Sequence, residues 1–94
     1  MAVFQVQNYQ VGRLVSVFSN RTDELVAEYP LSSFDLPRFR RQFGVSEDGV
    51  DSEMVLEYEV KPKDVDFLAG YLAKDVRYDF DNNAYFLSCY RVSE

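Results

Sequence analysis

Between Ser46 and Asp66 the chain reads SEDGVDSEMVLEYEVKPKDVD. Within it, Met54, Leu56, Tyr58 and Val60 alternate with Glu53, Val55, Glu57 and Glu59. A period of two puts one set on each face of an extended backbone, so the pattern predicts a strand from Glu53 to Val60. One face is apolar and belongs in a core. The other carries carboxylates and belongs in water or against a partner. A strand of this kind is expected in, or next to, the middle of a sheet covered on one side only.

The flanking sequence supplies the rest of that sheet. Arg13 to Ser19 is β-branched and aromatic, Asn20-Arg21-Thr22-Asp23 is turn-rich, and Glu24 to Tyr29 is a second apolar run ending at Pro30. Two strands joined by four polar residues read as a hairpin. In SSFDLPRFRRQFG, Asp35 stands where an N-cap belongs, Pro37 fits the first turn, and Gly44 suits the C-terminal cap. Leu36, Phe39 and Phe43 then share one face of a helix from Leu36 to Phe43. A second helix is expected from Pro62 to Lys74, with Val65, Leu68, Ala69 and Leu72 as its apolar stripe. Val76 to Phe80 and Ala84 to Val92, separated by Asp81-Asn82-Asn83, read as a closing hairpin. Residues 1–12 read either as an added edge strand or as a loosely held arm. The expected fold is α+β: a single domain over residues 1–94, with an antiparallel sheet of about five strands and two helices on one face, in the order ββαβαββ.

Charge narrows the function. The net charge is −6, and it is lopsided. Residues 1–45 hold five bases (Arg13, Arg21, Arg38, Arg40, Arg41) and four acids (Asp23, Glu24, Glu28, Asp35), whereas residues 46–94 hold five bases and twelve acids. Direct nucleic-acid binding rests on neutralising phosphates, so it is not expected, and neither is an anionic membrane. A basic protein partner fits, although acidity at this level also serves solubility alone. The single Cys89 excludes an internal disulfide, and no apolar run approaches the ~20 residues of a membrane span. The start, MAVFQVQNYQ, has neither the basic nor the apolar region of a secretory signal. A cytoplasmic location is the expectation.

The inventory of reactive side chains is thin. There is no His, which removes the usual triads and the common zinc and iron ligand sets. Cys89 alternates with Leu87 and Tyr85 and reads as a small buried hydrophobe. Asp79-Phe80-Asp81-Asn82-Asn83 begins like a calcium loop, but Ala84 stands where that loop needs Gly and Tyr90 where it needs Glu. It reads as a turn. Glu57 and Glu59 are two apart on one strand face, and Arg38, Arg40 and Arg41 could face an anion. Solvated carboxylates and arginines paired with nearby acids are the simpler readings. No enzyme activity, cofactor or metal is expected.

Arg13 to Val45 has a recognisable cadence. A hairpin, RLVSVFSNRTDELVAEYPLS, runs into DLPRFRRQFGV. The positions Thr22, Glu24, Leu25, Val26, Asp35, Leu36, Phe39, Arg40, Phe43, Gly44 and Val45 resemble those of a group of small bacterial α+β domains of mostly unknown function. Some members stand beside polymorphic toxin genes as candidate immunity proteins of the contact-dependent growth inhibition type. The resemblance covers roughly a third of the chain and leaves residues 46–94 uncovered. It implies a fold more than an activity.

Together, charge and resemblance suggest a small acidic immunity protein that neutralises a basic, nuclease-type toxin domain. Glu47, Asp48, Asp51, Glu53, Glu57 and Glu59 are the expected partner-binding residues. Two alternatives stay open. One is a phage-type inhibitor that mimics nucleic acid toward a host defence protein. The other is a small-ligand or peptide-binding domain with a pocket lined by Tyr58, Tyr78 and Phe86.

Overall fold

A computed structural model describes residues 3–6 and 9–92, with side chains from residue 10 onward. The elements are β1 (Val3–Val6), β2 (Tyr9–Ser19), β3 (Leu25–Pro30), α1 (Leu36–Phe43), β4 (Tyr58–Val60), a 3-10 turn (Pro62–Asp64), α2 (Val65–Ala69) and β5 (Asn83–Arg91). All strand pairs are antiparallel, so the class is α+β as the sequence implies.

The long strand β2 organises the sheet. One of its edges pairs along its length with β5, from Val11 opposite Arg91 to Ser19 opposite Asn83. The other edge is shared: β1 takes Tyr9 to Gly12, and β3 takes Leu14 to Phe18. On the far side of β5 lies β4. Parity along β2 and β5 then sorts the side chains. Val11, Arg13, Val15 and Val17 lie on the same face as Tyr85, Leu87 and Cys89. Gly12, Leu14, Ser16 and Phe18 lie with Ala84, Phe86, Ser88 and Tyr90 on the opposite face.

The first face is the core. Val15, Val17, Tyr85, Leu87 and Val60 pack with Phe39 of α1 and Leu68 of α2, all buried. Phe39 sits at the centre of an aromatic cluster, with the rings of Phe34, Phe67 and Tyr71 at centroid distances of 4.2, 4.9 and 4.8 Å. α1 follows its sequence signals. Asp35 caps it by accepting from the Arg38 amide at 3.3 Å. Gly44 ends it in the left-handed region at φ 70°, where a Cβ would be strained.

Three expectations fail, each for a physical reason. The acidic strand is short and lies at the sheet edge: only Tyr58–Val60 pairs, and Met54 takes a left-handed φ of 54°. The kink breaks the alternation, so Met54 and Val60 are buried while Leu56 is 63% exposed. Residues 76–80 form no strand. Val76, Tyr78 and Phe80 do pack against the core, but Tyr85–Leu87 of β5, which a hairpin would set opposite them, pairs with β2 on one edge and with β4 on the other. The second helix stops at Ala69 because the next residues are drawn to the end of β3. The Tyr71 carbonyl accepts from the Ser32 amide at 2.7 Å, and the Ala73 amide donates to the Pro30 carbonyl at 3.1 Å. Among the described residues, no helix is long and apolar enough to cross a membrane.

Candidate functional site

The segment between α1 and β4 carries most of the acidic side chains singled out in the sequence. It is held from beneath by two arginines. Arg13 projects from β2 into the core face and is 1% exposed. Its Nη2 donates to the Glu53 carbonyl at 2.7 Å and its Nη1 to the Met54 carbonyl. Its guanidinium lies 4.0 Å above the centroid of the Phe34 ring. Arg40, near the end of α1, donates through Nε to the Ser52 carbonyl at 2.6 Å. Three successive carbonyls are thus claimed by two cations, and a loop without secondary structure gains a fixed path.

Asp51 completes the turn. Its carboxylate accepts from the Val55 amide at 2.8 Å, from the Leu56 amide at 3.0 Å and from the Tyr58 hydroxyl. Burial alone would raise the Asp51 pKa. The Tyr58 hydroxyl, the two amides and the field of Arg13 outweigh burial and hold it below the ordinary carboxylate value. Burial first, then the hydrogen bond and charge of Asp51, push Tyr58 up to about 12. Both shifts carry a pH signature. A carboxylate with a depressed folded pKa stabilises above its unfolded value of about 4 and loses that contribution as pH falls through the folded one. A phenol with a raised pKa stabilises below about 10 and loses that contribution as pH rises through the folded value. With the buried Cys89 thiol, whose pKa is also raised, stability is therefore expected to plateau between about pH 5 and pH 8.5 and to fall on both sides. In Asp51→Asn both flanks should become shallower in urea titrations followed by circular dichroism. Unchanged flanks would remove the pair from this role.

The six acids expected to bind a partner separate into three groups. Asp51 is consumed within the loop, and Glu53 is half-buried, its carbonyl taken by Arg13. Glu47 and Asp48 are exposed in the outer bend of the loop. Glu57 and Glu59 flank Tyr58 and face away from the helices, Glu59 opposite Phe86. Glu57 is fixed there by the Ser88 hydroxyl, which donates to its Oε2 at 3.1 Å while accepting from Ser16 at 2.9 Å. Beside these acids, Val55 and Leu56 are 44% and 63% exposed.

The helix-free face that Glu57 borders is more apolar than its position suggests. Leu14 and Ser16 are buried on it, and Phe18, Phe86 and Tyr90 are half-buried. Phe18 and Phe86 meet edge to face at 5.9 Å. Between them and the two adjacent turns lies a depression of about 340 Å³ lined by Phe18, Ser19, Asn20, Asp23, Glu57, Ala84 and Phe86. At the opposite end, Tyr90 lies over Gly12. A Cβ built on Gly12 would fall 2.2 Å from the Tyr90 Cζ atom. Gly12→Ala is expected to displace the ring and cost about 1–3 kcal/mol. The cost should largely vanish when Tyr90→Ser is combined with it in a double-mutant cycle. Additive effects would rule out the contact.

The remaining candidates resolve plainly. The pocket expected from Tyr58, Tyr78 and Phe86 is not formed, because Phe86 lies on the open face while Tyr58 and Tyr78 pack against the core. Burial pushes the Cys89 thiol up, against the opposing pull of Arg13, which is the behaviour of a packing residue. Asp79 closes a turn, accepting at Oδ1 from the Asn82 amide at 3.3 Å and at Oδ2 from the Asn82 side chain at 2.9 Å. Among the described residues, no group of three or more His, Cys, Asp or Glu side chains could hold a metal. Two features went unread in the sequence. Arg13 is in phase with Val15 and Val17, and a charge in phase with a core face was the available signal. Phe18 and Phe86 lie out of phase with the core, which marks them as an outward aromatic pair.

A family model described as a domain of unknown function (DUF7683) matches residues 12–88. No curated protein and no solved structure matches the chain.

Proposed function

This chain belongs to that family of domains of unknown function, and we propose that it works by binding, as a docking module for a basic protein. The specific form we propose is neutralisation of a basic toxin domain by an acidic immunity protein. One observation supports this reading above the others. Glu57 and Glu59 stand at the border of an aromatic sheet face that no helix among the described residues covers, next to the exposed apolar side chains of Val55 and Leu56. Aromatic anchors inside a charged rim are the usual composition of a protein interface. The loop that carries these groups is already fixed by Arg13, Arg40 and Asp51, so little ordering cost is left for binding.

The test is to express the product of the gene beside the chain's own, alone and together with this chain, and then to purify the pair. The expected result is restored growth and a 1:1 complex whose association slows as salt is added. Growth arrest despite full expression of both proteins, with no complex on gel filtration, would refute the proposal.

A further inference from the structure

The depression between Phe18 and Phe86 has a composition that points to one kind of side chain. Its lining combines two aromatic residues, Phe18 and Phe86, with two acids, Asp23 and Glu57, and none of its lining residues is a base. An apolar ligand would leave the negative charges of Asp23 and Glu57 without a counter-charge, and an anion would be repelled. A cation with a flat, weakly hydrated head satisfies the rings and the acids together. That description fits a guanidinium better than an ammonium, because arginine stacks on aromatic faces and presents paired donors to carboxylates.

The two acids also stand on built supports. The Ser16–Ser88–Glu57 hydrogen-bond chain fixes Glu57 from the sheet side. Asp23 sits in the β2–β3 turn at a left-handed φ of 61°, its amide donating to the Ser19 carbonyl at 2.8 Å. That turn is tied to the turn before β5, since the Asn20 amide donates to the Asn82 carbonyl at 2.8 Å. We propose that this depression is an arginine-accepting subsite, the point at which a basic partner anchors one guanidinium on the open sheet face. It rests on the docking reading given above and names the side chain that reading lacks.

The experiment is an NMR titration of the full chain at low ionic strength with two blocked tripeptides, Arg-Gly-Arg and Lys-Gly-Lys, which carry equal charge. The Arg peptide is expected to shift the amides of Phe18, Asp23, Ala84 and Phe86 and to bind about threefold or more tightly than the Lys peptide. Glu57→Gln and Phe86→Leu should each weaken the Arg peptide severalfold, whereas Asp66→Asn, on α2, should not. Glu57→Gln keeps the test valid should Phe86→Leu disturb folding. Equal binding of the two peptides, shifts confined to residues 47–56, or no binding of the Arg peptide would each overturn the subsite. A basic partner that binds wild type and Phe86→Leu equally well would also overturn it, while leaving the docking reading intact. An Arg peptide bound here with no protein partner would do the reverse.

Discussion

Arg13→Met is expected to lower the unfolding free energy by about 3–5 kcal/mol, a large part of what a domain of this size possesses. The side chain it replaces is fully buried and makes two hydrogen bonds to backbone carbonyls and one cation–π contact with Phe34. Buried ion pairs are often replaceable by apolar residues at no cost, because both partners can be changed together. Here the acceptors are the carbonyls of Glu53 and Met54, which no substitution removes. Methionine fills the volume and leaves the buried Met54 carbonyl and the part-buried Glu53 carbonyl without their donors, at up to roughly 1–3 kcal/mol each. Arg13→Lys should recover only a small part, since an ammonium cannot span two carbonyls and lie flat on a ring. Burial draws the Arg13 pKa down against the opposing pull of Cys89, Asp51, Glu53 and Tyr58. The cation is held in place by its two carbonyl acceptors and the Phe34 ring.

Urea denaturation followed by tyrosine fluorescence measures the effect directly, since the chain has seven Tyr and no Trp. Amide exchange locates it. The amides of Val55 and Leu56, bonded to Asp51 in the wild type, should lose protection ahead of β2 and β5. A loss below about 1 kcal/mol would mean that the loop is held by Arg40 and Asp51 without Arg13.

The same residue marks where the sequence was and was not legible. Local rules sufficed for α1, because Asp35, Pro37 and Gly44 act within one turn of the chain. They sufficed for the β2–β3 hairpin and for the antiparallel class. They failed wherever the outcome depended on which sheet edge was already taken. Residues 76–80 alternate like a strand and pack against the core, yet Tyr85–Leu87, the part of β5 a closing hairpin would set opposite them, already pairs with β2 and β4. Leu72 lies in phase with the stripe of α2, yet it forms a bridge to Leu31 at the end of β3 instead. The acidic segment was the sharpest local pattern and the most altered one. A buried arginine far earlier in the chain draws its carbonyls inward, and Met54 leaves the extended region. Of the six acids read as a site, this turns Asp51 inward and leaves Glu57 and Glu59 on the open face.

Glu57→Lys combined with Glu59→Lys is expected to slow association with a basic partner about a hundredfold at low salt. Each substitution turns an attractive charge into a repulsive one at the border of the aromatic face, so the long-range field and the rim contacts change together. Steering acts over roughly a Debye length, so the difference between wild type and variant should narrow as salt is raised. The rate of dissociation should change less, because buried aromatic anchors govern it more than rim charges do. Glu59 is exposed and its loss should leave folding nearly untouched, whereas Glu57→Lys would leave the Ser88 hydroxyl with only the longer contact to the Phe86 carbonyl at 3.5 Å, a cost of up to about 1 kcal/mol. Stopped-flow association at several salt concentrations, alongside urea denaturation, separates these effects. Glu47→Lys with Asp48→Lys, made in the outer bend of the loop, supplies the comparison. If that pair slows association as much as the β4 pair does, steering comes from the net charge of the chain and the β4 carboxylates have no special position. If only the β4 pair does so, the partner approaches along the open face, where Phe18, Phe86, Asp23 and Glu57 await it.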